Sequence, residues 1–432
     1  CRTNGLDIIH GTMFFDFRAF LRCNYKAFIK AKGTNYRLTP KRLAVLFIWL
    51  LLYVPAQVFN RVFFLIDELI FPAYRKQKIE SPLFIVGNPR SGTTFLHHLL
   101  ELDKERYNSF LTWEMIFAPS ITQRKLISAG VTLMKWIGAP VQRLVRRMNK
   151  GITMDEKAHP IRINGSEEDD HILMHAWSSA TQWGFYPIPE ELLPYFFFDH
   201  DLPLEKQDKI MRFYKNMVQR QLYAHGGRQT LLSKNPAFTP KLASLLRHFP
   251  DARFINLARN PLQALPSMVN YMSTGWELFA DPIEAHPYTR EIMDVMAHFY
   301  RYPLEFFEDK PAACFFIKYD DLVHEPEEIV HAIYDWLGQD VQPEYQELLD
   351  QQFAKARAYR SEHLYDLKSM GITEALVQER FADVFEHYEF DLPDHGLPER
   401  NIWGGVNKFR KRWKDQRRKP FSRKQVFSAP TE

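Results

Sequence analysis

The sequence predicts an α/β protein: a parallel sheet flanked by helices, with an apolar helical segment added on its N-terminal side. Three observations carry this prediction. From Ser81 onwards, short apolar runs alternate with helical patterns. A Gly/Pro/Ser loop separates the first run from its helix, and the uninterrupted apolar stretch Leu43–Val54 precedes them all. Of the 432 residues, 46% are hydrophobic and 25% charged, which excludes a disordered, collagen-like or small disulfide-rich chain.

The N-terminal part is basic. Residues 1–42 carry nine Lys/Arg against two Asp, and residues 400–424 carry eleven against one, so the overall charge of +4 conceals an acidic middle. Such ends fit either an anionic partner or solvated tails. The chain opens on Cys1 rather than Met, and its true start is expected upstream. Within Leu43–Phe71, Pro55 and Gln57 are expected to break the apolar run. Three readings stay open: a short or kinked membrane span, a helix in the membrane plane, and a buried core helix. Lys30, Lys32, Arg37, Lys41 and Arg42 just upstream favour a membrane, with that side cytoplasmic. Three scattered cysteines support neither a disulfide framework nor a zinc site.

Four strands are expected: Leu83–Val86, Thr230–Leu232, Phe254–Leu257 and Cys314–Ile317. Helical patterns run over about Thr94–Leu102, Pro240–His248, Leu262–Met272, Tyr288–Phe307 and Pro326–Leu337. Alternation of this kind is the pattern of a parallel sheet covered on both faces.

The most informative segment is FIVGNPRSGTTFLHHLL, residues 84–100, read as strand, loop and helix. Gly87 and Gly92 bracket four residues, the spacing of a phosphate-cradling P-loop, in which backbone N–H groups and the helix N-terminus face an anion. Ser91, Thr93 and Thr94 add hydroxyl donors. The usual lysine after the second glycine is replaced by Thr93, and the cation, Arg90, lies inside the loop. That position suits a nearer group than the terminal phosphate of a nucleoside triphosphate.

PRSGTT at residues 89–94 resembles the 5′-phosphosulfate loop of sulfotransferases that use 3′-phosphoadenosine 5′-phosphosulfate (PAPS), in the branches that carry Arg there. A second stretch, FPDARFINLARNP at 249–261 with Ser267 after it, resembles the same family's 3′-phosphate strand and helix. The resemblance implies a P-loop-type sulfotransferase fold. Arg90, Ser91, Gly92, Thr93 and Thr94 would then bind the 5′ end of PAPS, and Arg259 and Ser267 its 3′-phosphate. Asn260 stands where many members have Asp. Lys234, in the segment LLSKNP, is implied to stabilise the transferring sulfate. Tyr319, in KYDDLV, is implied to pack near the adenine or to order the site. No metal is implied.

Transfer to a hydroxyl needs a base. Glu114 in LTWEMIFAP is the first candidate, with an apolar setting expected to raise its pKa. His171 and His175 in SEEDDHILMH are the second, and Glu168 and Asp169 of that run are site-proximal alternatives. His97 and His98 are expected to be partly buried against the sheet. The aromatic residues of 110–200, Trp177 and Trp183 among them, are expected either to line an acceptor pocket or to form an ordinary core. The expected acceptor is a hydroxyl-bearing small molecule, lipid or glycan. Residues 1–77 would form a membrane-associated segment, 78–400 the catalytic domain and 401–432 a basic tail. The competing functions are a P-loop kinase and a non-catalytic nucleotide-binding scaffold on a membrane. Nucleic-acid binding lacks a recognisable reading module.

Overall fold

A computed structural model describes residues 13–137, 165–356, 367 and 370–390. The basic tail expected at 401–432 lies outside them. The centre is a five-stranded parallel sheet in the order β2-β3-β1-β4-β5. Its strands are β1 (Leu83–Gly87), β2 (Tyr107–Asn108), β3 (Thr230–Lys234), β4 (Arg253–Ala258) and β5 (Cys314–Lys318). All four expected strands are present. The two-residue β2 is too short to leave a periodic signal in the sequence. β1 is apolar along its length and buried at all five positions, because helices cover both faces.

Helix α1 spans Phe17–Ile29 and α2 Pro40–Ile70. Pro55, which interrupts the apolar run, lies inside α2, and the helix of 31 residues continues through it. Thr39 starts α2 by accepting the Arg42 N–H, with Pro40 in the first turn. By length and composition α2 is able to cross a membrane. It is followed by α3 (Thr93–Leu100), α4 (Thr112–Ile116), α5 (Ile121–Ile137) and the 21-residue α6 (Leu204–Ala224). After β3 come α7 (Leu242–His248), α8 (Pro261–Phe279), α9 (Thr289–Phe306), α10 (Tyr319–His324) and α11 (Pro326–Leu337).

Polar contacts attach α2 to the body along its length. Arg42 Nη1 donates to the Phe279 carbonyl at 2.6 Å, and Tyr53 Oη to that of Met174 at 2.5 Å. Asn60 Oδ1 accepts from Gln123. At the C-terminal end Asp67, fully buried, accepts from the Ile121 and Thr122 N–H groups that start α5. It also pairs with the buried Arg220 of α6 at 3.0 Å. A carboxylate at a helix N-terminus with a guanidinium beside it has both charge and hydrogen bonds satisfied.

Of the two readings of the aromatic residues in 110–200, Trp177, Trp183, Tyr186 and Phe198 take the core one, and all are fully buried. Trp183 packs edge-on against Trp276 at 5.0 Å, and Trp177 against Tyr186 at 5.4 Å. Edge-to-face packing of large rings fills volume and leaves them no open cavity to line.

Candidate functional site

The site forms at the C-terminal ends of β1, β3 and β4, where open parallel sheets gather their ligands. Gly87 ends β1 with φ +122°, and a Cβ there would lie 2.1 Å from the Leu257 carbonyl oxygen of β4. Only glycine lets the two strands close at this point. The chain then turns through Arg90, at φ +66°, and Gly92, at φ +85°, into α3. A Cβ on Gly92 would meet the Tyr319 ring at 2.9 Å. Ser91 is fully buried, and its Oγ has no hydrogen-bond partner among the described residues. A buried hydroxyl left in this way inside a loop of backbone N–H groups suits an anionic oxygen. The residues therefore fit the phosphosulfate group that the loop resemblance implies.

The second predicted phosphate stretch meets this loop. Arg90 Nε donates to Ser267 Oγ at 3.0 Å. Arg259 Nη1 donates to the Arg90 carbonyl at 3.2 Å, and the Arg259 backbone N–H to Asn88 Oδ1 at 3.2 Å. The Arg259 guanidinium lies 4.3 Å from the centroid of the Tyr319 ring, a cation–π contact that holds both at the loop. Arg90 also lies 6.0 Å from the Tyr271 ring, one helical turn after Ser267 on α8. Sequence reading missed Tyr271. Its i,i+4 spacing from Ser267 was the available signal.

Lys234 ends β3 and is 1% exposed. Its Nζ lies 3.4 Å from Glu168 Oε1 and 3.8 Å from Glu167 Oε2. Burial raises the Glu167 carboxyl above its ordinary value; Lys234 opposes this and Glu168 adds to it. Burial raises the Tyr271 hydroxyl above its ordinary value; Glu168 and Glu167 add to this and Arg90 opposes it. Thus Arg90, Ser91, Gly92, Arg259, Ser267 and Tyr319 form one cluster, with Lys234 on the neighbouring strand. Thr93 and Thr94 open α3 directly after it.

The acidic run divides by function. Glu167 and Glu168 face Lys234, whereas Asp169 and Asp170 are buried anchors. Asp169 accepts from Tyr214, Ser233 and Asn235. Burial pushes its carboxyl up to about 6 against the pull of those donors. Asp170 pairs with the fully buried Lys241 at 3.4 Å. Just before the run, Ser166 Oγ lies 3.5 Å from His97 Nδ1, while His97 Nε2 contacts Ser109 Oγ at 3.0 Å. His97, fully buried and held neutral first by burial and then by Lys234, fixes the start of the acidic segment to α3.

Glu114 lies elsewhere. Its carboxylate accepts from the Leu111 N–H at 3.1 Å, Gln221 at 3.0 Å and His225 Nε2 at 2.8 Å. Gln221 and His225 are at the end of α6, which leads into the N-terminal end of β3, whereas Lys234 is at its C-terminal end. The expected rise in its pKa is reversed. Burial does push it up, but the His225 hydrogen bond, Arg124 and Gln221 outweigh burial and hold it at about 2. The two histidines also separate. His171 Nδ1 contacts the Glu168 carbonyl at 2.7 Å. His175 is buried against the Met115 carbonyl and Gln57, and burial lowers it to about 4.

The chain matches the sulfotransferase family over residues 82–343, the stretch that holds this sheet and loop, and it belongs to that family. Over 339 residues it is 24% identical to the omega-hydroxy-beta-dihydromenaquinone-9 sulfotransferase Stf3 of Mycobacterium bovis. The Mycobacterium tuberculosis protein of the same name matches equally, and each alignment covers 72% of this chain and 76% of the relative. Among solved structures, sulfotransferase STF9 from Mycobacterium avium superposes with TM-score 0.67 at 20% identity, covering 91% of this chain and 98% of that one. STF1 from Mycobacterium tuberculosis H37Rv gives 0.62 at 18% identity, covering 88% and 93%. These two similarities show a shared fold.

Proposed function

We propose that the protein transfers a sulfuryl group from PAPS to the hydroxyl of a lipid-like acceptor. The observation that carries this reading is the meeting of Arg90, Arg259 and Ser267 at a loop whose Ser91 hydroxyl is buried and unpartnered. Arg90 and the N–H groups of Ser91, Gly92, Thr93 and Thr94 hold the 5′ end of the donor. Arg259 and Ser267 hold the 3′-phosphate, and Tyr319 braces Arg259 beside the adenosine. PAPS supplies an activated sulfuryl group. In the transfer, a bond forms from the acceptor oxygen to sulfur, the bond from sulfur to the 5′-phosphate oxygen breaks, and adenosine 3′,5′-bisphosphate leaves. Lys234 and Arg90 stabilise charge on the transferring group, so the chain's own cations do this work and no metal is needed.

The acceptor proton goes to Glu167, whose raised pKa and position beside Lys234 suit a general base. Glu168 holds Lys234 in place. Glu114, locked at low pKa by three donors, secures the α4 turn in this reading. A lipid acceptor is supported by the relative Stf3, named for an ω-hydroxy dihydromenaquinone, and by the apolar helix α2. A glycan alcohol is the second acceptor class. Residues 78–400 carry the catalytic domain in this reading and residues 1–77 the membrane-associated part, with 401–432 as a basic tail. In this reading the catalytic domain faces the cytoplasm, which the basic residues before α2 support.

Calorimetry with adenosine 3′,5′-bisphosphate and with ATP–Mg²⁺ tests the donor. Tighter binding of the bisphosphate is expected; tighter binding of ATP would favour the kinase reading, and binding of neither would favour a scaffold. Incubation of lipid extracts with ³⁵S-labelled donor tests the acceptor.

A further inference from the structure

Helix α2 is inside out for a soluble protein. After Lys41, every charged side chain of α2 is directed at the body: Arg42, Arg61, Asp67 and Glu68. The opposite face is apolar and exposed over the whole helix, with Phe47 64%, Leu52 66%, Val58 62% and Leu69 81% exposed. Helix α1 adds exposed apolar side chains beside it. Its small residues Ala19, Cys23 and Ala27 are buried, and Phe17, Leu21, Tyr25 and Ile29, each four residues after the last, are all more than half exposed. A soluble amphipathic helix does the reverse, with its large apolar side chains inward and its charges outward. Exposed apolar surface of this extent marks an interaction face.

We infer that α2 lies in the plane of one leaflet of an anionic bilayer, its apolar face in the lipid and its polar face on the enzyme. Two observations select lipid as the occupant. Residues 17–66 contain nine Lys/Arg and no Asp or Glu. Of these, Arg18, Lys30, Lys32, Arg37 and Lys41 are exposed at or before the start of α2. Apolar side chains with a cationic border match acyl chains beneath anionic headgroups. The exposed side of α2 also carries no charge from Leu43 to Ile70, over about 42 Å of helix at 1.5 Å per residue. The contacts that dock α2 argue against a crossing. To span, α2 would have to leave the body, taking Asp67 from Arg220 and from the α5 N-terminus and leaving Arg61 without its two carbonyl partners, Phe14 and His175.

The docked helix is also connected to the site. Tyr53 and Arg61 bond the carbonyls of Met174 and His175, at the end of the 3₁₀ helix Asp169–Ala176. Glu167 and Glu168 immediately precede that helix. A leaflet on α2 is thereby coupled by one short helix to the acidic pair beside Lys234. Presentation of a lipid hydroxyl by this route rests on the sulfotransferase reading; the in-plane placement does not.

The test uses the full chain and vesicles. Flotation with phosphatidylcholine vesicles containing about a third phosphatidylglycerol should recover the protein, with binding about tenfold weaker on pure phosphatidylcholine or in high salt. Leu52→Glu and Val58→Glu should each weaken flotation about tenfold or more and leave the thermal unfolding midpoint unchanged, because both positions face outward. Depth is read separately, from a polarity-sensitive fluorophore on cysteines introduced one at a time at Phe47, Val58 and Leu69, with Cys1 replaced and Cys23 and Cys314 shielded by burial. These positions extend over about 33 Å of helix, more than a hydrocarbon core is thick. Equal shallow depth at all three supports the inference. A depth that passes from one headgroup region through the centre to the other overturns it. So does failure to bind vesicles together with a concentration-dependent dimer that Val58→Glu dissociates, since the face would then belong to a second copy. None of these readouts depends on sulfuryl transfer.

Discussion

Arg90 Nε donates to Ser267 Oγ at 3.0 Å, joining residues 177 apart in the sequence. The first lies in the glycine loop and the second on α8, and each was assigned to a different phosphate of the donor. In the proposed donor reading this contact sets the two phosphate subsites side by side, as a compact 3′,5′-bisphosphate would need.

The first prediction concerns donor affinity. Arg259→Ala should weaken adenosine 3′,5′-bisphosphate binding by about 30- to 100-fold, the loss of one or two charge-assisted hydrogen bonds worth about 2–3 kcal/mol. Ser267→Ala should cost about fivefold to tenfold, because a neutral donor is lost. Titration calorimetry measures both, and an unchanged affinity in Arg259→Ala would remove the 3′-phosphate assignment.

Lys234 separates binding from chemistry. Its substitution by Ala should lower kcat by about 10²- to 10³-fold, as for the loss of a donor aimed at transition-state charge. Bisphosphate affinity should change by less than about threefold, because Lys234 pairs with Glu167 and Glu168 rather than with the loop. An equal loss in both quantities would instead make Lys234 a ground-state binding residue.

For the base, Glu167→Gln should lower kcat by about 10²- to 10⁴-fold and abolish the acidic limb of the pH–rate profile. In the wild type that limb should rise with pH through a pKa above the ordinary glutamate value, because burial disfavours the carboxylate. A profile unchanged by Glu167→Gln would shift the assignment to Glu168, for which the same pair of measurements applies.

Glu114→Gln should act on stability and spare turnover. The folded-state pKa of Glu114 is depressed to about 2 from 4.5, so its stabilisation is complete above about pH 4.5 and is lost as pH falls towards 2. The shift corresponds to about 3 kcal/mol. Urea unfolding should therefore show Glu114→Gln about 3 kcal/mol less stable at pH 7, with the difference shrinking below pH 4.5. Lost turnover in a folded Glu114→Gln protein would restore Glu114 as the base.

Gly87→Ala should destabilise by about 1–3 kcal/mol, or prevent folding, because the added Cβ overlaps the Leu257 carbonyl in a position that cannot relax without parting β1 from β4. Thermal unfolding measures this directly.

Much of the frame was legible from local pattern. Strands buried on both faces must be apolar, so β1, β3, β4 and β5 could be read from four short runs. The glycine loop could be read because positive φ at Gly87 and Gly92 requires that residue. Helix α6 was harder. It is polar overall, and its inward-facing Arg220 and Gln221 disguise the buried face. Pro55 interrupts the apolar run without ending α2, since one proline on an exposed turn of a long, well-docked helix removes only one backbone hydrogen bond.

Residue types and their spacing pointed to a phosphate-type loop with a cation within it, and the family resemblance added the Arg259 and Ser267 pair. They could not decide which polar residues face one another, because that depends on contacts between distant segments. Only the packed structure put Glu167 and Glu168, rather than Glu114, beside Lys234. Competition between burial and the surrounding charges and hydrogen bonds raises the Glu167 carboxyl and depresses that of Glu114. The same distinction holds for α2. Composition made it apolar enough for a membrane, but the buried pair of Asp67 and Arg220 fixed it to the enzyme, since breaking that pair would strand two charges away from water.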